Sequence, residues 1–253
     1  MLGTLEPMIR RDRLMLGLAA LLAAAAGCSG GDGRPGAPPA APPAGPTRVI
    51  LLGDSVAAGQ ALPMNVALGA AGVEFHSMAS DGGGTVVGPV SEQLWQTLPD
   101  RLADARPSTV IYQITTYDWG SEQEQEAAYE RLATTVAQAG ARLVFVTMPP
   151  IKPDDFYEPH MDDLTNAADA ARAVGAGTVV LDAAEVWGTT YQRTRNGVAD
   201  RSSDGIHTCP QGAARFTSWL LRELAELYPG FRPPDPATWA NSGWSGDRRF
   251  IGC

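Results

Sequence analysis

The sequence is poor in the residues that build metal centres and nucleic-acid interfaces. Its 253 residues include three cysteines, three histidines and a single lysine. The histidines and cysteines are scattered and match no zinc-ligand spacing, so no metal site is expected. The formal net charge is -9, and the part expected to fold has no basic cluster. This charge pattern argues against nucleic acid as a partner and against electrostatic docking on anionic lipid.

The sequence also lacks an apolar run long enough to span a membrane stably. The longest run, 14–26, follows three arginines and has the size of the apolar region of an export signal. It ends in small residues followed by Cys28, similar to a bacterial lipoprotein signal, in which the cysteine is lipidated. We therefore expect a lipoprotein-type signal over 1–28, for which Met8 would make a more usual start than Met1. An ordinary secretory signal is the alternative, and both export the protein.

The remaining chain divides by composition at about residue 48. The stretch 29–47 is rich in Gly, Pro and Ala and has no aromatic residue, so it predicts a disordered tether. Residues 48–253 are long enough for one domain with an irregular C-terminal tail. Once Cys28 is set aside, Cys209 and Cys253 are left. In an exported chain this even remainder suggests a disulfide that pins the tail, with two unpaired thiols as the alternative.

Strand-like and helix-like stretches alternate through most of the domain. Apolar stretches beginning near residues 49, 73, 109, 142 and 178 predict five strands, with helical patterns between them and a final helix opened by Pro210. Pro99 is expected to split the helical stretch 92–102. Because such alternation requires a parallel sheet covered on both faces, the sequence predicts an α/β fold with a five-stranded parallel sheet.

Two short motifs at opposite ends of this pattern carry chemistry. The first predicted strand runs directly into Gly-Asp-Ser55, which places a serine at the carboxyl edge of the sheet, near a helix N-terminus. A serine becomes a nucleophile when a histidine takes its proton and an acceptor orients that histidine. Asp204 and His207, three residues apart just before the last helix, can supply both. The alternative to a catalytic role is a structural one, in which Ser55 caps the helix and Asp204 caps the turn before the last helix.

The identity and order of these motifs resemble the SGNH hydrolases, the GDSL-type esterase and lipase superfamily. The resemblance covers about residues 48–227 and implies a three-layer α/β/α sandwich similar to flavodoxin. By this likeness Ser55 is the nucleophile, His207 the general base and Asp204 its orienting partner. It implies no cofactor and no metal.

The resemblance also implies an oxyanion hole, the set of donors that stabilises the charged oxygen of the transition state. The family takes one donor from the backbone N–H of the nucleophile, here Ser55, and a second from a glycine in a later block. Gly82 is the best match for that glycine, with Gly83 and Gly84 as alternatives. A glycine suits this role because its backbone N–H can approach the substrate closely.

The family pattern has a further conserved motif after the glycine, and this motif is altered in the present chain. Where the family has Gly-x-Asn-Asp, residues 115–118 read Thr-Thr-Tyr-Asp, so Tyr117 replaces the asparagine that donates to the oxyanion. Either two backbone donors form the hole, or Tyr117 or Trp119 reaches it differently. An aromatic followed by an acid resembles SGNH domains of bacterial surface-polysaccharide O-acyltransferases. By that likeness Tyr117 and Asp118 bind a sugar; alternatively, Asp118 is an internal hydrogen-bond partner.

These observations together predict an exported serine esterase or O-acyltransferase that works through an acyl-enzyme. The expected substrate is an O-acyl ester of a cell-envelope or extracellular glycan, with a lipid or small ester as the next choice. The protein is expected to be a monomer at the bacterial cell surface or in the periplasm, in contact with the membrane only through a lipid on Cys28. The rival hypothesis is a glycan-binding lipoprotein on the same fold, without turnover. A purely structural lipoprotein would explain neither motif.

Overall fold

A computed structural model describes residues 45–175 and 177–253. The predicted signal segment, Cys28 as the predicted lipidation site, and the predicted tether up to residue 44 lie outside the described residues. Among the helices of the described part, none is both long enough and apolar enough to cross a membrane.

The centre of the fold is a five-stranded parallel sheet, as the alternating pattern predicts. From one edge to the other the strand order is β2-β1-β3-β4-β5, and every neighbouring pair is parallel. The strands are β1 Arg48–Leu52, β2 Glu74–Ser77, β3 Thr109–Gln113, β4 Arg142–Val146 and β5 Thr178–Leu181. Because β1 lies between β2 and β3, the loops that follow these three strands meet at one place on the carboxyl edge.

The helices fall between the strands in the expected order. They are α1 Ser55–Ala70, α2 Glu92–Trp95, α3 Leu98–Ala105, α4 Glu122–Gln138, α5 Met161–Ala173, α6 Ala184–Trp187 and α7 Pro210–Leu227. The helical stretch around Pro99 is split as predicted, and this proline lies in the first turn of α3, where its missing N–H costs nothing. The short α6 and a small hairpin, β6 Thr194–Arg195 with β7 Val198–Ala199, were not predicted.

Two hydrophobic cores lie on opposite faces of the sheet. Along β1, Val49 and Leu51 face the core formed with α1 and α7, whereas Ile50 and Leu52 face the core formed with α3, α4 and α5. This alternation follows from the two-residue repeat of a strand, and all four side chains are buried. The three-layer sandwich expected from the resemblance is therefore confirmed.

The C-terminal tail, 228–253, folds back onto the domain. Trp239 is buried in the core between the sheet, α1 and α7. At the end of the tail, Cys253 forms a disulfide with Cys209, the residue immediately before α7. The predicted disulfide is thus present, and the last residues of the chain are held beside the loop that carries His207.

Candidate active site

A tight turn joins β1 to α1 and exposes the Ser55 hydroxyl. Gly53 has φ +150°, and a Cβ at this position would lie 2.6 Å from the Cβ of Ala57, so a side chain there would force the turn open. The N-cap of α1 is Asp54, whose Oδ1 accepts the backbone N–H of Val56 at 2.9 Å. Because Asp54 caps the helix, the alternative of Ser55 as the cap is wrong.

The second carboxylate oxygen of Asp54 holds the loop that follows the neighbouring strand β3. Oδ2 accepts two hydrogen bonds from Thr116, from the backbone N–H and from the hydroxyl, each at 2.8 Å. Asp54 is buried, and this burial raises the pKa of its carboxyl even though the hydrogen bonds from Thr116, Val56 and Ala57 oppose the rise. The nucleophile turn is therefore fixed to the loop after β3, which also carries Tyr117.

The loop before α7 brings Asp204 and His207 to Ser55. Oδ1 of Asp204 accepts the backbone N–H groups of Ile206 at 2.8 Å and His207 at 3.0 Å, and Oδ2 lies 2.8 Å from Nδ1 of His207. Asp204 therefore caps its turn and also faces the imidazole. Burial alone would raise its pKa, but these hydrogen bonds and the nearby imidazole outweigh burial and lower the pKa to about 2.

The imidazole of His207 links the carboxylate to the serine. Because a carboxylate only accepts hydrogen bonds, Nδ1 donates to Asp204, and this leaves the Nε2 lone pair free. Nε2 lies 2.8 Å from Oγ of Ser55. The structure thus brings together the three residues that the sequence singled out, in the order serine, histidine, aspartate.

A buried arginine that the sequence gave no reason to select supports this loop. Arg201 is 1% exposed, and its guanidinium donates to the carbonyl oxygens of Pro150 at 2.7 Å and Ile206 at 2.5 Å. Burial lowers the pKa of Arg201 to about 10. Since Ile206 lies between Asp204 and His207, this arginine fixes the backbone that carries both side chains.

An open cleft of about 540 Å³ lies over Ser55 and His207. Gly82 lines this cleft. Gly84 instead packs on the nucleophile turn, where an added Cβ would lie 1.9 Å from the carbonyl oxygen of Gly53. Among the three glycines that the resemblance left open, Gly82 is thus the one that shares the cleft with the serine.

A cluster of aromatic side chains meets the cleft at Tyr117. Tyr117 lines the cleft, and its ring centroid lies 5.4 Å from that of Trp119, 6.4 Å from that of Phe156 and 6.2 Å from that of Tyr157. Burial and the adjacent Tyr157 raise the pKa of the Tyr117 hydroxyl above its ordinary value. Phe156 is 55% exposed and was not selected from the sequence. We call these four residues the aromatic wall.

Asp118 does not line the cleft, and the expectation that it contacts substrate is wrong. Its side chain is 0% exposed, so no ligand can reach it. It accepts hydroxyl hydrogen bonds from Thr85 at 2.5 Å, Tyr112 at 2.6 Å, Tyr129 at 2.7 Å and Thr115 at 2.8 Å. Burial raises the pKa of Asp118 despite these donors. The alternative holds: Asp118 is an internal hydrogen-bond partner beneath the loop of Tyr117.

The other two histidines lie apart from Ser55. His76 is exposed on β2, and His160 stacks on Trp119 with ring centroids 3.8 Å apart. Within residues 45–175 and 177–253, no group of three or more His, Cys, Asp or Glu side chains is arranged to hold a metal ion.

No protein-family model and no curated protein matches this chain. Solved structures do match it. A protein from Slackia heliotrinireducens assigned to the SGNH hydrolases is 18% identical, with 69% of this chain and 96% of that chain covered and a TM-score of 0.51. An acetylxylan esterase from Geobacillus stearothermophilus, solved as a catalytic mutant, is 13% identical, with 74% and 96% covered and a TM-score of 0.52.

A third similar structure is a GDSL-like lipase from Bacteroides thetaiotaomicron, 11% identical, with 72% of this chain and 89% of that chain covered and a TM-score of 0.54. In all three comparisons nearly the whole of the other protein is superimposed, although the sequences have diverged widely. The chain has the SGNH hydrolase fold, as its motifs led us to expect.

Proposed function

We propose that this protein is a serine esterase of the SGNH type. The observation that carries the proposal is the unbroken chain of contacts at 2.8 Å from Asp204 through His207 to Ser55. In the first half-reaction, Oγ of Ser55 bonds to the ester carbonyl carbon while Nε2 of His207 takes its proton. The C–O bond to the alcohol then breaks, and His207 returns the proton to the leaving alcohol.

The second half-reaction releases the acyl group. Water bonds to the carbonyl carbon of the acyl-serine and gives its proton to His207, and the bond to Oγ of Ser55 breaks as the proton returns to the serine. Asp204, whose pKa is about 2, is ionised throughout the neutral range, so it holds the tautomer of His207 and stabilises the imidazolium.

The oxyanion is proposed to be held by backbone N–H groups of Ser55 and Gly82. Ser55 is the first residue of α1, where N–H groups have no partner within the helix and the helix dipole favours negative charge. In well-studied hydrolases one such donor contributes about 3 kcal/mol to transition-state stabilisation. A tyrosine hydroxyl lies further from the backbone than an asparagine amide, and the ring of Tyr117 packs against Tyr157. This favours two backbone donors over a tyrosine that replaces the asparagine.

The proposed substrate is an O-acyl ester of a glycan. Two neighbours in fold are acetylxylan esterases, and the aromatic wall offers ring surfaces of the kind that pack against sugars. The cleft is open and lined by charged and polar side chains as well as Tyr117, which fits a sugar ester better than a long acyl chain. Water as the acyl acceptor makes the protein an esterase; a sugar hydroxyl would make it an O-acyltransferase.

Export belongs to the same proposal. The disulfide between Cys209 and Cys253 supports it, since disulfides persist in oxidising compartments. A lipid on Cys28 would hold a monomeric domain on its tether at the cell surface or in the periplasm, near envelope glycans.

The proposal is tested with the purified disulfide-bonded protein, by following p-nitrophenyl acetate hydrolysis and acetate release from acetylated xylan. Ser55→Ala should lower both rates at least about a thousandfold. Ser218→Ala, on α7 outside the cleft, is the matched control and should behave as wild type. Equal rates for wild type and Ser55→Ala would contradict the proposal. Glycan binding without turnover by the wild type would instead establish the rival hypothesis.

A further inference from the structure

The C-terminal tail forms a second wall of the cleft, and this wall is cationic. Arg248, Arg249 and Ile251 line the same cleft as Ser55 and His207. We call these three residues the tail wall. The aromatic wall comes from the loops after β3 and β4 and meets the cleft at Tyr117. The reacting serine therefore shares its cleft with this ring and with guanidinium groups from the tail.

The tail wall is fixed in place rather than loosely attached. The disulfide between Cys253 and Cys209 holds its end, and the carbonyl of Gly252 accepts the backbone N–H of Ser203 at 3.1 Å. Ser203 directly precedes Asp204, so the tail is joined to the loop that carries the aspartate and histidine. The backbone of the tail wall is therefore held close to the loop that carries Asp204 and His207.

The two arginines of the tail wall differ in what they contact. Arg249 forms a salt bridge with Asp81, which directly precedes Gly82, so its charge is neutralised by the protein. Arg248 is exposed, and within residues 45–175 and 177–253 its guanidinium has no hydrogen-bond or ion-pair partner. The other carboxylate that lines the cleft, Asp204, already accepts three hydrogen bonds from its own turn. Among the described residues that line the cleft, Arg248 is thus the cation whose guanidinium has no partner in the protein.

We propose that Arg248 binds an anionic group, a carboxylate or a phosphate, on an acidic saccharide whose ester is cleaved at Ser55. This inference rests on the proposed function and narrows its substrate class. The planar guanidinium matches the two oxygens of such a group and forms paired, charge-assisted hydrogen bonds. The sugar ring itself would lie between Arg248 and the aromatic wall, with its ester over Ser55.

The net charge of the protein makes a cation in the cleft an advantage for binding such a substrate. The chain carries a net charge of -9, so an acidic saccharide is repelled by most of its surface. Among the described residues of the cleft, the guanidinium of Arg248 offers an attractive charge that opposes this repulsion near the point where the ester must be placed. Because Arg248 is exposed, its attraction should weaken as salt screens it.

The test compares three esters that differ only in the charged group: the 3-O-acetyl esters of glucose, glucuronic acid and glucose 6-phosphate. For wild type, kcat/KM should be at least about tenfold higher for one or both anionic esters than for the neutral ester, the factor expected of one charged hydrogen-bonded contact. The two anionic esters separate a carboxylate site from a phosphate site. The preference should decline between 0.05 and about 0.5 M salt.

Arg248→Ala should abolish this preference by raising KM for the anionic ester, and Arg248→Glu should reverse it. Arg222→Ala, which removes an exposed arginine of α7 outside the cleft, should keep the wild-type ratio. If the wild type cleaves all three esters equally through Ser55, the inference is overturned while the proposed function stands.

A binding measurement on a variant without turnover tests directly whether Arg248 binds an anionic sugar. Calorimetric titration of Ser55→Ala with glucuronate, glucose 6-phosphate and glucose should show at least about tenfold tighter binding of an anionic sugar, and the added Arg248→Ala should remove it. Equal affinities would overturn the inference. Selective binding together with no Ser55-dependent turnover would overturn the proposed function and leave Arg248 as an anion-binding residue of a glycan-binding protein.

Discussion

The carboxylate of Asp54 accepts two hydrogen bonds from Thr116, one from its backbone N–H and one from its hydroxyl, each at 2.8 Å. The same carboxylate caps α1 through Val56. One buried side chain thus joins the turn that carries the nucleophile to the loop that carries Tyr117. The position of Ser55 depends on two loops whose joined residues are 62 apart in sequence, not on its own turn alone.

Removing the Thr116 hydroxyl should weaken the contact between Asp54 and the loop after β3. Thr116→Val keeps the shape of the side chain but leaves Oδ2 of Asp54 with one donor, and we expect a loss of about 1–3 kcal/mol in the free energy of unfolding. We expect kcat for an acetyl ester to fall as well, because the nucleophile turn loosens. Urea unfolding and steady-state kinetics measure both. Thr165→Val, on the exposed face of α5, is the control, and an equal loss in the two variants would contradict the role given to Thr116.

A substitution of Asp118 tests whether this residue stabilises the fold or contacts substrate. Asp118→Asn replaces an acceptor of four hydroxyl hydrogen bonds with an amide whose NH₂ can only donate, so some of these hydroxyls lose their partner. We expect a loss of about 2–4 kcal/mol in the free energy of unfolding, seen as a lower Tm. Asp155→Asn, at an exposed position, should leave the Tm unchanged. A stable Asp118→Asn protein with only a raised KM would restore Asp118 as a substrate contact.

The ionised state of Asp204 gives a prediction about pH. Its pKa of about 2 in the folded protein lies below the value of about 4 for an aspartate in an unfolded chain. Between these values the unfolded state binds more protons, so stability from this group is complete above pH 4 and is lost as the pH falls towards 2. The carboxylate is half exposed, so the amount is no more than about 1 kcal/mol.

Asp204→Asn should therefore flatten the stability profile between pH 2 and 4, as measured by urea unfolding across that range. The same substitution should lower kcat at neutral pH at least about a hundredfold, because an amide neither fixes the tautomer of His207 nor stabilises the imidazolium. Unchanged kcat would show that Asp204 only caps its turn, which was the alternative left open by the sequence.

Much of the architecture could be predicted because it follows from periodicity. Five apolar stretches alternating with helical patterns allow few arrangements other than a covered parallel sheet, and the glycine, aspartate and serine after β1 mark its functional edge. The prediction that Ser55, Asp204 and His207 lie together came from this edge and from the resemblance of their motifs to those of the SGNH hydrolases. Short elements such as α6 and the β6–β7 hairpin have too few residues to show a period.

The rest of the site depends on contacts that local sequence does not encode. Nothing in the local sequence distinguishes Arg201 from Arg248. In the structure Arg201 is buried against backbone carbonyl groups, whereas Arg248 is exposed in the cleft. Asp118 follows an aromatic residue as a sugar-binding acid would, but hydroxyls from three separate parts of the chain enclose it. Only the closed fold decides which polar side chains face solvent.

The disulfide should matter for both stability and selectivity. Closing a loop over a sequence separation of 44 residues stabilises a protein by about 4 kcal/mol in the chain-entropy description. Cys253→Ser should lower the Tm accordingly, and it should reduce the preference for an anionic ester, since the tail wall is released. Reduction of the wild type with dithiothreitol should reproduce both effects. A lower Tm with an unchanged preference would show that Arg248 stays in place without the disulfide.

The most direct test of the proposed nucleophile is covalent labelling with diethyl p-nitrophenyl phosphate, which phosphorylates an activated serine and releases p-nitrophenol. Intact mass and peptide mapping should show one diethylphosphoryl group per chain, on Ser55, with esterase activity lost in proportion. His207→Ala should label at least about a hundredfold more slowly, because no base takes the serine proton. A folded wild-type protein that gains no label, or gains it elsewhere than Ser55, would contradict the assignment of Ser55 as the nucleophile.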